Sequence, residues 1–202
     1  MSIVKLNNRS VKDVTAFGSI TSLGSLTHIA TQTASSSTTI SFTSGIDSTY
    51  KEYIFYFVNI HPSGTNRFQF NGSSDSGSNY NVTKTTTVFT AGHREQDDDA
   101  TLTYQSGDDL AQSTAFQDLM AYGNQDADND HCLNGTLHLF NPSSTTFVKH
   151  FISRSQGNID TDYSVDSHVA GYFNTTSAIN AVQFKMTSGN IDSGQILLFG
   201  IN

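Results

Sequence analysis

Residues 135–154 read GTLHLFNPSSTTFVKHFISR, and their pattern decides the fold. Leu137 and Leu139 alternate with His138. Beyond a polar break, Phe147, Lys149 and Phe151 fall on one face, and Val148, His150 and Ile152 fall on the other. Alternation at period two is the mark of a strand. The break, Asn141-Pro142-Ser143-Ser144, has turn chemistry: Pro142 presets φ, and Asn141 and Ser143 can bond nearby backbone. Pro142 also lacks the N–H that a central strand needs. The stretch predicts a β-hairpin. Apolar residues on both faces of its second strand predict a position between two sheets.

The same grammar runs outward in both directions. In YKEYIFYFVNI (residues 50–60), Tyr53, Phe55 and Phe57 alternate with Ile54, Tyr56, Val58 and Ile60. This predicts a central strand buried on both sides and stopped by His61-Pro62. Residues 26–33 and 38–43 predict a hairpin across Ala34-Ser35-Ser36-Ser37, with Ile29, Ile40 and Phe42 inward. Phe68 and Phe70 mark a strand before the polar loop 71–78, and Val82, Val88 and Phe89 mark the next. In residues 101–122 the pattern fits either one helix or two short strands over 110–120, and Ser113, Thr114 and Phe116 favour strands. Residues 157–166 read as loop and 167–174 as strand. Val182, Phe184 and Met186 mark another strand, a glycine-bearing turn over 188–194 reverses the chain, and QILLFGI closes it as a buried strand. About ten short strands separated by turn signals predict an all-β antiparallel β-sandwich or jelly roll.

Composition agrees. Charged residues make up 14% of the 202, and Pro numbers only 2 against 15 Gly. The polar bulk is Ser, Thr and Asn, which favour strands and turns over helix interiors. The formal charge of −8 with only 10 Lys and Arg argues against nucleic acid as a partner. No run approaches the length of a membrane span, and residues 1–6 are too short and mixed for a signal peptide. Cys132 is the only cysteine, so no disulfide framework exists, and its acidic neighbours oppose a thiolate. Synthesis and folding in a cytosol are expected. Residues 1–26 differ from the rest: Gly18 and Gly24 break them, and they cannot bury a core alone. They read either as an N-terminal arm that docks on this or a neighbouring subunit, or as a frayed terminus. Residues 27–202 form the sandwich domain.

Chemistry-bearing constellations are sparse. Asp126, Asp128 and Asp130 form D-x-D-x-D, which can offer three oxygens to a calcium ion. His131 at the sixth position and Leu137 at the twelfth exclude an EF-hand, leaving an irregular calcium site or a solvated acidic loop. His131 and Cys132 lack zinc-ligand spacing, and His93 with Asp97, Asp98 and Asp99 reads as a solvated loop. Two Glu, Glu52 and Glu95, sit in no glycosidase-like motif, and no nucleophile elbow, P-loop or dinucleotide fingerprint occurs. Tyr53, Tyr80, Tyr104, Tyr163 and Tyr172 are candidates for a sugar-stacking face, with packing the favoured role.

Several phrases carry a resemblance: VKLNNRSVKDVTAFGSITSLGSL, DSTYKEYIFYFVNIHP, FQFNGSSDSGSNYNVTK, LHLFNPSSTTFVKHFI and NTTSAINAVQFKMTSGNIDSGQILLFGI. Together they resemble small virion structural proteins, of tail-fibre type or uncharacterised, from marine tailed bacteriophages such as cyanophages. The resemblance covers nearly the whole chain and is weakest over 95–125. It implies a non-enzymatic virion component, associated with the tail or fibre, made in the host cytoplasm and carried in the particle. It further implies a homo-oligomer, a trimer among the options, in contact with other virion proteins. A capsid decoration protein and a host-glycan-binding attachment module are the alternatives. The resemblance supplies no catalytic residues.

Overall fold

The computed structural model describes residues 26–201. The expected arm therefore lies outside the described residues, except that Leu26 opens the first strand. Twelve strands follow: β1 (Leu26–Thr33), β2 (Ile40–Phe42), β3 (Glu52–Pro62), β4 (Phe68–Ser73), β5 (Lys84–Arg94), β6 (Ala100–Tyr104), β7 (Gln117–Asp118), β8 (Leu133–Phe140), β9 (Lys149–Ile159), β10 (Tyr163–Phe173), β11 (Ala181–Met186) and β12 (Ile191–Ile201). They build one sheet of order β1-β12-β3-β8-β9-β10-β5-β6 and a smaller one of order β2-β11-β4-β7. All pairings are antiparallel, and the sheets pack as a sandwich.

The wind is that of a jelly roll. Eight of the strands pair from the outside of the sequence inwards: β1 with β12, β2 with β11, β3 with β8 and β4 with β7. Successive pairs alternate between the two sheets, four strands to each, which is the nested double Greek key. The other four strands are two hairpins inserted after β4 and after β8. They meet along the full length of β10 and β5, from Tyr163 opposite Arg94 to Phe173 opposite Lys84. This pairing widens only one sheet, so the smaller sheet covers only part of its inner face.

Residues 135–154 do form the expected hairpin, with Leu139 opposite Phe151 and Leu137 opposite Ser153. Several other expectations are corrected. Leu26–Thr33 and Ile40–Phe42 are not a hairpin, because β1 pairs with β12 and β2 with β11 in the other sheet. β11 and β12 likewise separate into different sheets rather than folding back on each other. Residues 157–166 are mostly strand: β9 runs to Ile159, β10 starts at Tyr163, and Asp162 turns the corner at φ 62°. His61 and Pro62 do not stop β3 but end it within the ladder, Pro62 opposite Ile191. β3 and β9 were expected between two sheets, yet each buries one face. Tyr53, Phe55 and Phe57 are buried while Tyr56 and Val58 are exposed; Phe151 and Ser153 are buried while Ile152 is 51% exposed. Ile54 is the exception, buried on the outer side. A bulge at Asn59, whose φ is 49°, then turns Ile60 inward.

The core between the sheets is aromatic. Phe184 of β11 is fully buried and meets Phe55 at 5.2 Å, Phe57 at 5.3 Å and Phe68 at 5.6 Å between ring centroids, with Phe42 and Phe70 at 6.3 and 6.4 Å. Where the small sheet ends, residues 105–125 cover the inner face of β5 instead. That face is polar, and its side chains bond the covering backbone. Leu110 N donates to Thr86 Oγ1 at 2.8 Å, Thr86 Oγ1 donates to Gln117 Oε1 at 2.6 Å, and Ala121 N donates to Ser167 Oγ of β10. An irregular covering segment needs partners for its buried N–H and C=O groups, and inward Thr, Ser and Gln supply them.

Two lysines lie in the same layer. Lys84 and Lys149 flank Phe173 on its two neighbouring strands, and both are fully buried. Lys84 Nζ donates to Asn71 Oδ1 at 2.8 Å and to the Ala115 carbonyl at 2.5 Å. Lys149 Nζ donates to the carbonyls of Phe147 and Thr175. Burial without a carboxylate partner pushes Lys84 down to about 7 and Lys149 in the same direction. Both lysines tie loops to the sandwich and have their hydrogen bonds met, so neither presents a free amine.

Candidate docking face and end cleft

The outer face of the eight-stranded sheet can be read across from the pairing. One row runs Tyr56, Thr136, Arg154, His168, Phe89, Tyr104. The next runs Ile54, His138, Ile152, Ala170, Thr87, and it continues the other way through Phe199 to His28. Among the described residues, the exposed large hydrophobics are Leu26, Tyr56, Val58, Phe89, Leu102, Tyr104, Phe147 and Ile152. All of them except Phe147, which lies in the loop between β8 and β9, are in register on this outer face.

Histidines share the face. Of the chain's 7, His28, His93, His138, His150 and His168 lie there. His168 stacks flat on Phe89 with centroids 4.6 Å apart, His28 meets Phe199 edge-on at 5.3 Å, and His150 lies 5.9 Å from Tyr172. Apart from histidine, the face holds three charged side chains, and each is paired within it. Arg154 grips Asp166 through Nε and Nη2 at 3.0 and 2.8 Å, and the guanidinium holds that carboxyl below its ordinary range. Glu52 Oε1 lies 2.6 Å from His138 Nδ1. The formal charge of this surface is −1, counting Glu52 and Asp166 against Arg154, on a chain of −8.

A second concavity sits at one end of the sandwich, where β5 and the β9–β10 turn meet residues 122–123. It has a volume of about 460 Å³ and is lined by Arg94, Tyr122, Gly123, Ile159, Thr161 and Tyr163. Tyr122 and Tyr163 meet edge to face at 5.6 Å, and the Arg94 guanidinium lies 5.8 Å from the Tyr163 ring centre. Tyr163 OH donates to Asp99 Oδ2 at 2.6 Å, which pushes its phenol up to about 12. Arg94 Nη1 reaches Asp98, while its Nε is buried with no hydrogen-bond partner among the described residues. Two aromatic walls and hydrogen-bonding groups of both polarities can take a polar ligand with an apolar face.

The acidic loop behaves differently. Asp126 Oδ1 lies 2.5 Å from His131 Nδ1 and also accepts from Asp128 N, so its carboxylate is engaged inside the loop. Asp130 is largely exposed with Oδ1 3.7 Å from His131 Nε2, and His61 Nε2 contacts the Asp128 carbonyl. Among the described residues, no group of three or more His, Cys, Asp or Glu side chains is placed to hold a metal ion. The three aspartates named from the sequence therefore share a loop but not a ligand cage. His93 and Asp97 form an exposed pair, while Asp99, which the sequence reading left in the same loop, anchors Tyr163. Of the five candidate sugar-stacking tyrosines, Tyr53 is core, Tyr80 lies in the loop between β4 and β5 with its hydroxyl buried, Tyr104 and Tyr172 are on the outer face, and Tyr163 is in the cleft. Sequence reasoning missed Arg94 and Tyr122. They lie far from Tyr163 in the chain: the pairing of β5 with β10 brings Arg94 to it, and the covering segment, bonded to β10 through Ala121 N and Ser167 Oγ, brings Tyr122.

Among the described residues, no helix is long and apolar enough to cross a membrane. Comparison with known proteins finds no match to the chain, whether family model, curated protein or solved structure.

Proposed function

We propose that this chain is a non-enzymatic structural protein of a tailed-phage virion, associated with the tail or fibre and assembled there as a homo-oligomer. The observation that carries the reading is the outer face of the widened sheet. Aromatic enrichment, with charge depleted and internally paired, is the composition of a protein interface rather than of a solvated surface. The jelly-roll sandwich suits the role, since it leaves a stable slab whose broad side is free for contacts. A fold of this kind hosts many functions, so the role rests on the surface and on the sequence resemblance, not on the wind alone.

The end cleft favours a second reading, an attachment module that binds a neutral host glycan. Asp98 and Asp99 bond the lining residues Arg94 and Tyr163, a charge balance that opposes anionic sugars. Immunogold labelling of purified particles with an antibody to this chain tests the first reading. Label at the tail is expected. Label spread over the head assigns a decoration role instead. Unlabelled particles that also lack the protein after dissolution overturn the structural reading. Glycan-array binding that Tyr163→Ala abolishes is expected if the second reading holds, and a blank array removes it.

A further inference from the structure

We infer that the outer face of the eight-stranded sheet is a homotypic interface, on which two copies of this chain pack face to face. The inference deepens the structural reading above by naming the surface and the partner. Its size fits. Eight strands at ~4.8 Å span ~38 Å, and four outward rows ~6.7 Å apart span ~27 Å. The resulting ~1,000 Å² per copy exceeds the ~800 Å² that each partner gives to a standard stable interface.

Its charge also selects a second copy. Each chain carries −8 in all, yet this face contributes only −1, so the repelling charge of two copies lies away from the contact. Arg154 and Asp166 arrive as an ion pair and Glu52 arrives hydrogen-bonded to His138, so docking leaves no charged group of the face without a hydrogen-bond partner. A nucleic acid finds no basic cluster here, since Arg154 is the face's sole Lys or Arg and is occupied. The chain's own residues 1–25 are too short to cover the face. Fully extended they reach ~85 Å. That makes about three passes of ~27 Å, covering ~15 Å of the ~38 Å width. A second copy offers an equal flat surface. Two twisted sheets that meet this way align within about 30° and interdigitate, as the two layers of a sandwich do. Because the same patch serves both partners, the contact is isologous and closes as a two-fold dimer.

Sedimentation equilibrium on the full chain at neutral pH tests this. The expected result is a dimer at micromolar concentration. Ile152→Arg and Phe89→Arg, two exposed sites on different strands, are each expected to weaken it by about 30-fold. Phe147→Arg, the exposed apolar residue off the face, is expected to leave it intact. Melting temperature checks that each variant is folded. A monomer at every concentration overturns the inference. So does a dimer that Phe147→Arg breaks and the two face variants do not. A dimer through this face in a protein missing from particles removes the virion reading alone, and a monomer found in particles removes the interface alone.

Discussion

Phe184→Ala is expected to lower the free energy of unfolding by about 3–5 kcal/mol. Phe184 is fully buried at the centre of the small sheet and touches rings from both layers: Phe55 and Phe57 of β3, Phe68 and Phe70 of β4, and Phe42 of β2. Truncation loses the transfer free energy of the ring and leaves a hole that five flat, interlocked neighbours cannot collapse into. Against a typical total of about 5–15 kcal/mol, that is a large share. Chemical denaturation of both proteins under one buffer checks it. Phe184→Leu, which refills most of the volume, is expected to recover more than half of the loss. A loss under 1 kcal/mol for the alanine variant would mean that the two sheets do not meet through this residue.

The second large effect is a dependence on alkaline pH. Folded Lys84 loses its proton near 7, because burial disfavours the ammonium, whereas an unfolded lysine keeps its proton to about 10.5. Between those values the unfolded chain binds one more proton than the folded one, so stability rises with pH. The rise from this one group is about 4 kcal/mol between pH 7 and 10. Lys149 is shifted the same way and adds to it. Above pH 10 the trend reverses, since Tyr53, Tyr104 and Tyr163 are held protonated in the fold and unfolded tyrosine is not. Lys84→Met is expected to flatten the rise between pH 7 and 10. At pH 7 it exchanges the cost of a buried ammonium for the loss of its bonds to Asn71 Oδ1, which keeps Gly72 N, and to the Ala115 carbonyl, so its effect there is small. Urea unfolding at pH 7, 8.5 and 10 reads the slope. A wild-type protein equally stable at all three contradicts the assignment of a neutral buried Lys84.

How much of this was legible in the sequence follows from what period two encodes. Alternation located nearly every strand, and the turn chemistry at Asn141-Pro142 marked the loop that joins β8 to β9. It cannot say which sheet a strand enters, because the jelly roll pairs β1 with β12 and β2 with β11 across almost the whole chain. Hence the mistaken hairpin over residues 26–43. Apolar residues on both faces of β3 and β9 signalled two covered faces, and the structure covers one. Tyr56, Val58 and Ile152 on the other face are exposed, on the surface proposed above to take a second copy. Residues 105–125 resisted reading because their backbone bonds come singly, to β5 at Lys84, Thr86 and Val88, to β4 at Phe68 and to side chains such as Thr86, with only the two-residue β7 as regular strand. Lys84 and Lys149 sit at inward positions, where a lysine in a strand ordinarily signals solvent. The acidic triplet was visible as a local motif. The cleft of Arg94, Tyr122 and Tyr163 was not, since no local spacing joins them.

The most direct measurement is a cryo-electron microscopy reconstruction of the intact particle at a resolution that traces strands. The expected result is density for this jelly roll, with a second copy seated on the outer face of the eight-stranded sheet and Phe89, Ile152 and Tyr56 at the contact. A particle that contains the protein with that face turned to solvent contradicts the interface, and a particle without density for this fold contradicts the structural role.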